Sequence, residues 1–187
     1  MTIAQIYPAQ LHPAPVRPAV RAQRGSQPTW VMSELAEGVA GRPELWSALA
    51  HHDRTARRPV RLVATESYEI WVIGWMPEQG LDLHDHGRSY GLVRVLEGTL
   101  LETVLTGEGP RPQLLEAGRR RFLPTSTVHA VKGFGGPATS VHVYSPPLTS
   151  MTHYTAEGER IGTEVITPVP AALPAAALAH VLHPAPA

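Results

Sequence analysis

Leu83-His84-Asp85-His86-Gly87-Arg88-Ser89-Tyr90-Gly91 holds two histidines two residues apart in a run that otherwise reads as a strand. In a strand, residues i and i+2 point to the same face. His84 and His86 therefore aim their imidazoles at one point, while Asp85 points away. That is how a β-scaffold offers two nitrogen ligands to one metal ion. Taken alone, the pattern reads equally well as two surface histidines in a polar loop, so the flanking sequence has to decide.

Working outward, short β-rich runs lie on both sides. Val60–Val63 and Tyr68–Trp75 precede the histidines, and Pro77-Glu78-Gln79-Gly80 makes a turn between. Leu92–Leu96, Thr99–Leu105, Gln113–Leu115, Arg121–Leu123, His129–Lys132 and Thr139–Tyr144 follow, separated by Gly-containing turns such as Glu97-Gly98 and Ala117-Gly118. Many short strands with regular turn signals predict a β-sandwich or small barrel. No strand–helix alternation is present, which argues against a parallel α/β sheet.

The ends read differently. Residues 1–28 form a Pro/Ala-rich arm. Residues 29–52 look helical, with Val31, Leu35 and Val39 at i, i+4 spacing, Gly38 and Gly41 as a stop, and Pro43 opening a second short helix. The strand signal weakens after Ser150. A single domain over 29–166 is expected, with the barrel at about 59–150. A Pro/Ala-rich tail at 167–187 carries one short helix around Ala175–Val181.

Composition narrows the function classes. The 16 basic and 16 acidic residues balance, which speaks against a nucleic-acid footprint or a basic membrane-binding face. Cysteine is absent, which excludes disulfides, thiol nucleophiles and Cys-ligated metals, whereas there are 10 histidines. Met1–Pro28 lacks the apolar core of a signal peptide. No run approaches the roughly 20 apolar residues that span a bilayer. A cytoplasmic protein without membrane or nucleic-acid partners is expected. Its oligomeric state stays open, with a monomer as the working assumption.

Two ligands hold a catalytic metal poorly, and three leave positions open for substrate. His129 is the natural third, in the context Gly118, five residues, Pro124, four residues, His129. Ser140, His142 and Tyr144 fall at i, i+2 and i+4 of a strand-like run and so share one face.

These segments resemble the two signature motifs of the cupin superfamily: Gly80, His84-x-His86 and Gly98 for the first, and Gly118, Pro124 and His129 for the second. One position departs, because the usual cupin glutamate falls at Gly91. His84–Ser89, Val95–Leu100 and Ser140–Leu148 resemble the cysteine dioxygenase family, whose members bind iron through three histidines without that glutamate. The resemblance covers roughly residues 59–150.

The resemblance implies a cupin jelly-roll barrel and a non-haem Fe(II) held by His84, His86 and His129. It also implies a small thiol and O₂ as substrates, with a sulfinic acid as product. Three neutral imidazoles leave the cation's charge free to attract a thiolate and lower the thiol's pKa. In the animal enzymes a cysteine at the Gly91 position crosslinks to the tyrosine matching Tyr144, so no Cys–Tyr crosslink is expected here. By the same resemblance, Ser140, His142 and Tyr144 form a hydrogen-bonded relay, with Tyr144 over the iron site. An arginine 23–26 residues before the first ligand holds the substrate carboxylate. Arg61, 23 residues before His84, fits that spacing, with Arg58 as the fallback. Arg88 is expected at the pocket mouth, together with His153 and Tyr154. Cysteine is the first-choice substrate, because relatives acting on 3-mercaptopropionate carry glutamine in place of the arginine. A non-catalytic metal-binding cupin and a Zn or Ni hydrolase or isomerase remain open, since three histidines suit Fe, Zn, Ni and Cu alike.

Overall fold

A computed structural model describes residues 26–178. Most of the expected N-terminal arm and the last nine residues of the C-terminal tail lie outside the described residues. The expected helical segment divides into an α-helix, α1 (Thr29–Ala40), and two short 3₁₀ turns at Pro43–Leu45 and Ser47–Leu49. α1 buries Val31, Met32, Leu35, Ala36 and Val39 along one stripe and stops at Gly41, just before Pro43. The C-terminal helix is a 3₁₀ turn over Ala175–Leu178.

Among the described residues eleven strands form the body: β1 (Val60–Ala64), β2 (Glu69–Trp75), β3 (Gly80–His84), β4 (Tyr90–Glu97), β5 (Thr99–Thr106), β6 (Gly109–Glu116), β7 (Arg120–Leu123), β8 (His129–Gly133), β9 (Ala138–Ser145), β10 (Ser150–Tyr154) and β11 (Arg160–Val165). They make two sheets, ordered β1-β2-β9-β4-β7 and β11-β10-β3-β8-β5-β6. Every strand pair within these sheets is antiparallel. The two sheets face each other across the core, which is the double-stranded β-helix of the cupins.

The β region extends past the expected limit near residue 150. β10 is only half-buried along its length, and β11 is almost wholly exposed at the sheet edge. Neither has the apolar alternation that betrays a strand in sequence.

Strand β9 is buried at all eight residues because it is covered on both faces. Val141 and Val143 point outward into the cluster formed with α1, Leu62, Ile70 and Leu92. Burying a Val or Leu side chain there contributes about 1.5–3 kcal/mol. By strand alternation, Ala138, Ser140, His142 and Tyr144 point inward, and Ala138 joins the second cluster with Trp75, Val95, Leu100 and Leu123. The α1 stripe thus anchors the back of the strand whose front carries the relay residues.

Candidate metal centre and cavity

The three histidines converge. His84, His86 and His129 are all buried, and their ligating atoms lie within 4.8 Å of one another. The ring centroids of His84 are 5.0 Å from His86 and 4.7 Å from His129, and those of His86 and His129 are 5.1 Å apart. His84 closes β3 directly opposite His129, which opens β8.

His86 lies two residues beyond the end of β3, not inside a strand. Asp85 holds that extension in place. Its backbone N–H donates to Thr152 O at 2.9 Å. Its carboxylate accepts from Gly87 N (2.9 Å), Thr152 N (3.1 Å) and the Tyr154 hydroxyl (2.7 Å). Gly87 then turns the chain with φ of 56°, and a β-carbon there would stand 2.7 Å from Ser150 Oγ. Because of this turn, Arg88 does not continue the face of His86. It is exposed and is not part of the cavity wall, contrary to expectation.

The protonation pattern suits a metal. His84 Nδ1–H donates to the Asp82 carbonyl at 2.7 Å, and His129 Nδ1–H donates to Glu102 Oε1 at 2.7 Å. Both rings therefore keep an Nε2 lone pair free. His129 Nε2 and His86 Nδ1 are buried without a hydrogen-bond partner among the described residues. A buried nitrogen lone pair with no donor near it is costly unless a cation or water meets it. In the metal-free protein, burial and then the neighbouring His129 hold the His84 imidazole down to about 3. Burial and the other histidines push His86 well below its usual range. Neutral imidazoles are the form that ligates.

A cavity of about 230 Å³ opens beside the triad, with His84, His129, His142 and Tyr144 on its surface. The relay residues are in line. Trp75 Nε1–H donates to Ser140 Oγ at 2.9 Å, Ser140 Oγ lies 2.9 Å from His142 Nε2, and His142 Nδ1 lies 3.2 Å from the Tyr144 hydroxyl. The Tyr144 ring is 5.0 Å from that of His86. Burial brings the His142 imidazole down to about 3, and burial followed by Glu69 raises the Tyr144 phenol well above its ordinary range.

The cationic wall residue is Arg57, not Arg61 or Arg58. Its guanidinium carbon sits 5.0 Å over the Trp75 ring, and it pairs with no carboxylate among the described residues. Arg61 is instead committed to Glu69 Oε2, at 2.8 Å from Nε and 2.7 Å from the second nitrogen, and it also donates to Val169 O. Glu69 Oε1 in turn accepts from Leu148 N at 3.0 Å. Arg58 pairs with Asp53 at the surface. Arg57 stands 27 residues before His84, one outside the expected window of 23–26. Neither His153 nor Tyr154 lines the cavity. His153 is bonded to Glu164 at 3.4 Å and Tyr154 to Asp85.

Trp75, Glu102 and Arg57 carry site contacts that sequence reasoning did not assign. Glu102 had a visible signal, because an acid stood between Leu100 and Val104 at an inward position of an apolar strand.

The barrel and its histidine triad define a cupin with a candidate metal centre. A family model, cysteine dioxygenase type I, matches residues 26–157, and the chain belongs to that family. A cysteine dioxygenase type 1 from Danio rerio is 28% identical over 134 residues, covering 64% of this chain and 66% of that protein, just under two thirds of its length. Among solved structures, TT1209 from Thermus thermophilus aligns with a TM-score of 0.48 at 24% identity, over 54% of this chain and 93% of that one. A cupin 2 conserved barrel domain protein from Leptotrichia buccalis aligns with a TM-score of 0.47 at 19% identity, over 53% and 45%.

Proposed function

We propose that the protein is a thiol dioxygenase that uses a non-haem Fe(II) held by His84, His86 and His129 to convert a small carboxylated thiol, cysteine first, to its sulfinic acid. The reaction balances without another reductant: a thiolate gains both atoms of one O₂. The observation that carries the reading is the meeting of three elements at one cavity: His84 and His129 of the histidine triad, Tyr144 at the end of its relay, and an arginine with no carboxylate partner among the described residues. The three-nitrogen donor set fits Fe(II), and iron is chosen over Zn, Ni or Cu because of the family. When bound, the iron supplies the oxygen chemistry and a site for the sulfur.

The chain's own residues do the rest. Arg57 holds the carboxylate through paired hydrogen bonds, its planar group steadied on the Trp75 ring. Trp75 can only donate, so Ser140 Oγ accepts from it. The one hydrogen of Ser140 then has His142 Nε2 as its acceptor, and neutral His142 donates from Nδ1 to the Tyr144 oxygen. This order leaves the Tyr144 hydrogen free to donate into the cavity, toward substrate or oxygen. Apolar walls, including Ile73, Leu81, Val131 and Leu148, keep bulk water from the reacting sulfur.

Anaerobic loading with Fe(II), followed by oxygen uptake and mass spectrometry of products from cysteine, cysteamine and 3-mercaptopropionate, tests the proposal. A sulfinate formed with stoichiometric oxygen uptake is expected, with cysteine the best substrate. Tyr144→Phe lowers kcat about 10²-fold or more while leaving metal content unchanged. Binding of small acids without any thiol-dependent oxygen uptake would leave a non-catalytic cupin. Activity restricted to Zn- or Ni-loaded protein would point to a hydrolase or isomerase.

A further inference from the structure

We infer that Glu102 is a positioning residue of the metal centre, aiming His129 and supplying, one residue removed from the metal, the negative charge that Gly91 does not. This rests on the histidine triad being a metal site and is independent of which thiol reacts.

On β5 the side chains alternate, and Glu102 shares the inward face with Leu100. Glu102 stands opposite Val131 on β8, which makes it the diagonal neighbour of His129 two residues away. It stands opposite Gln113 on β6. Its Oε1 accepts from His129 Nδ1 at 2.7 Å, while Oε2 accepts from Arg121 Nε of β7 at 3.1 Å and from Gln113 Nε2. The side chains of Glu102 and His129 are 1% and 2% exposed. An acid this deeply buried is costly without full pairing, and here three donors from three other strands meet its two oxygens.

The contrast with His84 gives the arrangement its meaning. His84 Nδ1 is tied to a neutral backbone carbonyl, whereas His129 is tied to an anion. A hydrogen bond to a carboxylate is stronger, and it raises the basicity of the ring's other nitrogen. His129 is therefore the most electron-rich ligand of the triad. The resemblance places the usual cupin glutamate at Gly91, and a carboxylate acting as a fourth ligand would take a position that a substrate needs. Glu102 contributes its charge through His129 and leaves that position open. Arg121, about one-third exposed, partly offsets the charge and keeps the carboxylate oriented.

The test uses metal-free full-length protein titrated with Co(II) against a chromophoric chelator, so that no thiol chemistry enters. Glu102→Gln is expected to weaken Co(II) binding about 10–100-fold, with the fold of the metal-free variant checked by circular dichroism. Binding within about twofold of wild type would overturn the inference. A second measurement needs no variant: in Zn(II)-loaded wild type with ¹⁵N-labelled histidine, long-range ¹H–¹⁵N correlations should show His129 protonated at Nδ1 and metal-bound at Nε2. The opposite tautomer would overturn it even if Glu102→Gln fails to fold. A protein that passes both tests yet oxidises no thiol would refute the dioxygenase reading and leave the role of Glu102 intact.

Discussion

Gly91 of β4 lies directly opposite Tyr144 of β9, and a β-carbon on Gly91 would stand 3.4 Å from Tyr144 Cε1. A side chain at 91 therefore points at the ring carbon next to the one that bears the hydroxyl. The same β-carbon meets Leu123 at 3.2 and 3.3 Å, so Leu123 has to give way. Gly91→Cys should cost about 1–3 kcal/mol of stability from overpacking. After iron loading and turnover in air, it should form a thioether to Tyr144, seen as an intact mass lower by the two hydrogens lost. Gly91→Ser is the control that cannot crosslink. An active, iron-loaded Gly91→Cys protein with unchanged mass would contradict this placement.

Arg57 and Arg61 should separate cleanly by substrate. Removing a charged partner of a carboxylate costs about 1.5–3 kcal/mol, so Arg57→Gln should lower kcat/KM for cysteine roughly 10- to 150-fold. It should leave cysteamine, which has no carboxylate, nearly unaffected. Arg61→Gln should keep the ratio of cysteine to cysteamine turnover. Its effect falls on stability, because Glu69 stays buried without its cation. Breaking such a pair costs about 3–5 kcal/mol, readable in urea denaturation. Collapse of the substrate ratio in Arg61→Gln would reverse the assignment.

The pH dependence of stability carries a signature of His142. The group falls from 6.5 to about 3 on folding, so the unfolded chain binds this proton more readily. The contribution is complete above 6.5 and is lost as pH falls toward 3. The stability advantage of wild type over His142→Gln should therefore be constant above pH 6.5. Below that it should shrink by about 1.4 kcal/mol per pH unit. Denaturation of the two metal-free proteins at several pH values between 5 and 8 measures it, and a constant difference would show that His142 is not neutral in the fold.

Ser140→Ala strips two buried groups of a partner at once, Trp75 Nε1 and His142 Nε2. Each orphaned group costs about 1–3 kcal/mol. A stability loss of that order should come with reduced turnover, since His142 is then free to adopt the other tautomer. Ser140→Thr keeps the hydroxyl and should restore most of both. Loss of stability with full activity would mean that the relay is only structural.

Much of this site was legible because its chemistry is written in the strand period. The trio on β9 stands at the two-residue period that puts it on one face, and His129 stood out by the cupin-like context of Gly118 and Pro124, although His86 itself lies just beyond the strand. Arg57 was not legible, because it sits on an irregular stretch just before β1, where no periodicity ties residue number to direction, and a neighbouring arginine met the expected spacing better. Arg88 misled for a related reason: the rule that i and i+2 share a face ends where Gly87 takes a positive φ. β10 and β11 were missed because a half-buried strand and an exposed edge strand bury too little apolar surface to leave a pattern.

The candidate metal ligands and the relay sit on opposite walls. His84 and His129 belong to the six-stranded sheet, and Ser140, His142 and Tyr144 to the five-stranded one. The gap between hydroxyl and triad is thus set like the jaws of a caliper, by the thickness of the filling between the sheets, with Leu100, Val95 and Leu123 among the spacers. A shortened spacer such as Leu100→Ala should therefore let the jaws drift and slow turnover while leaving the histidine triad in place.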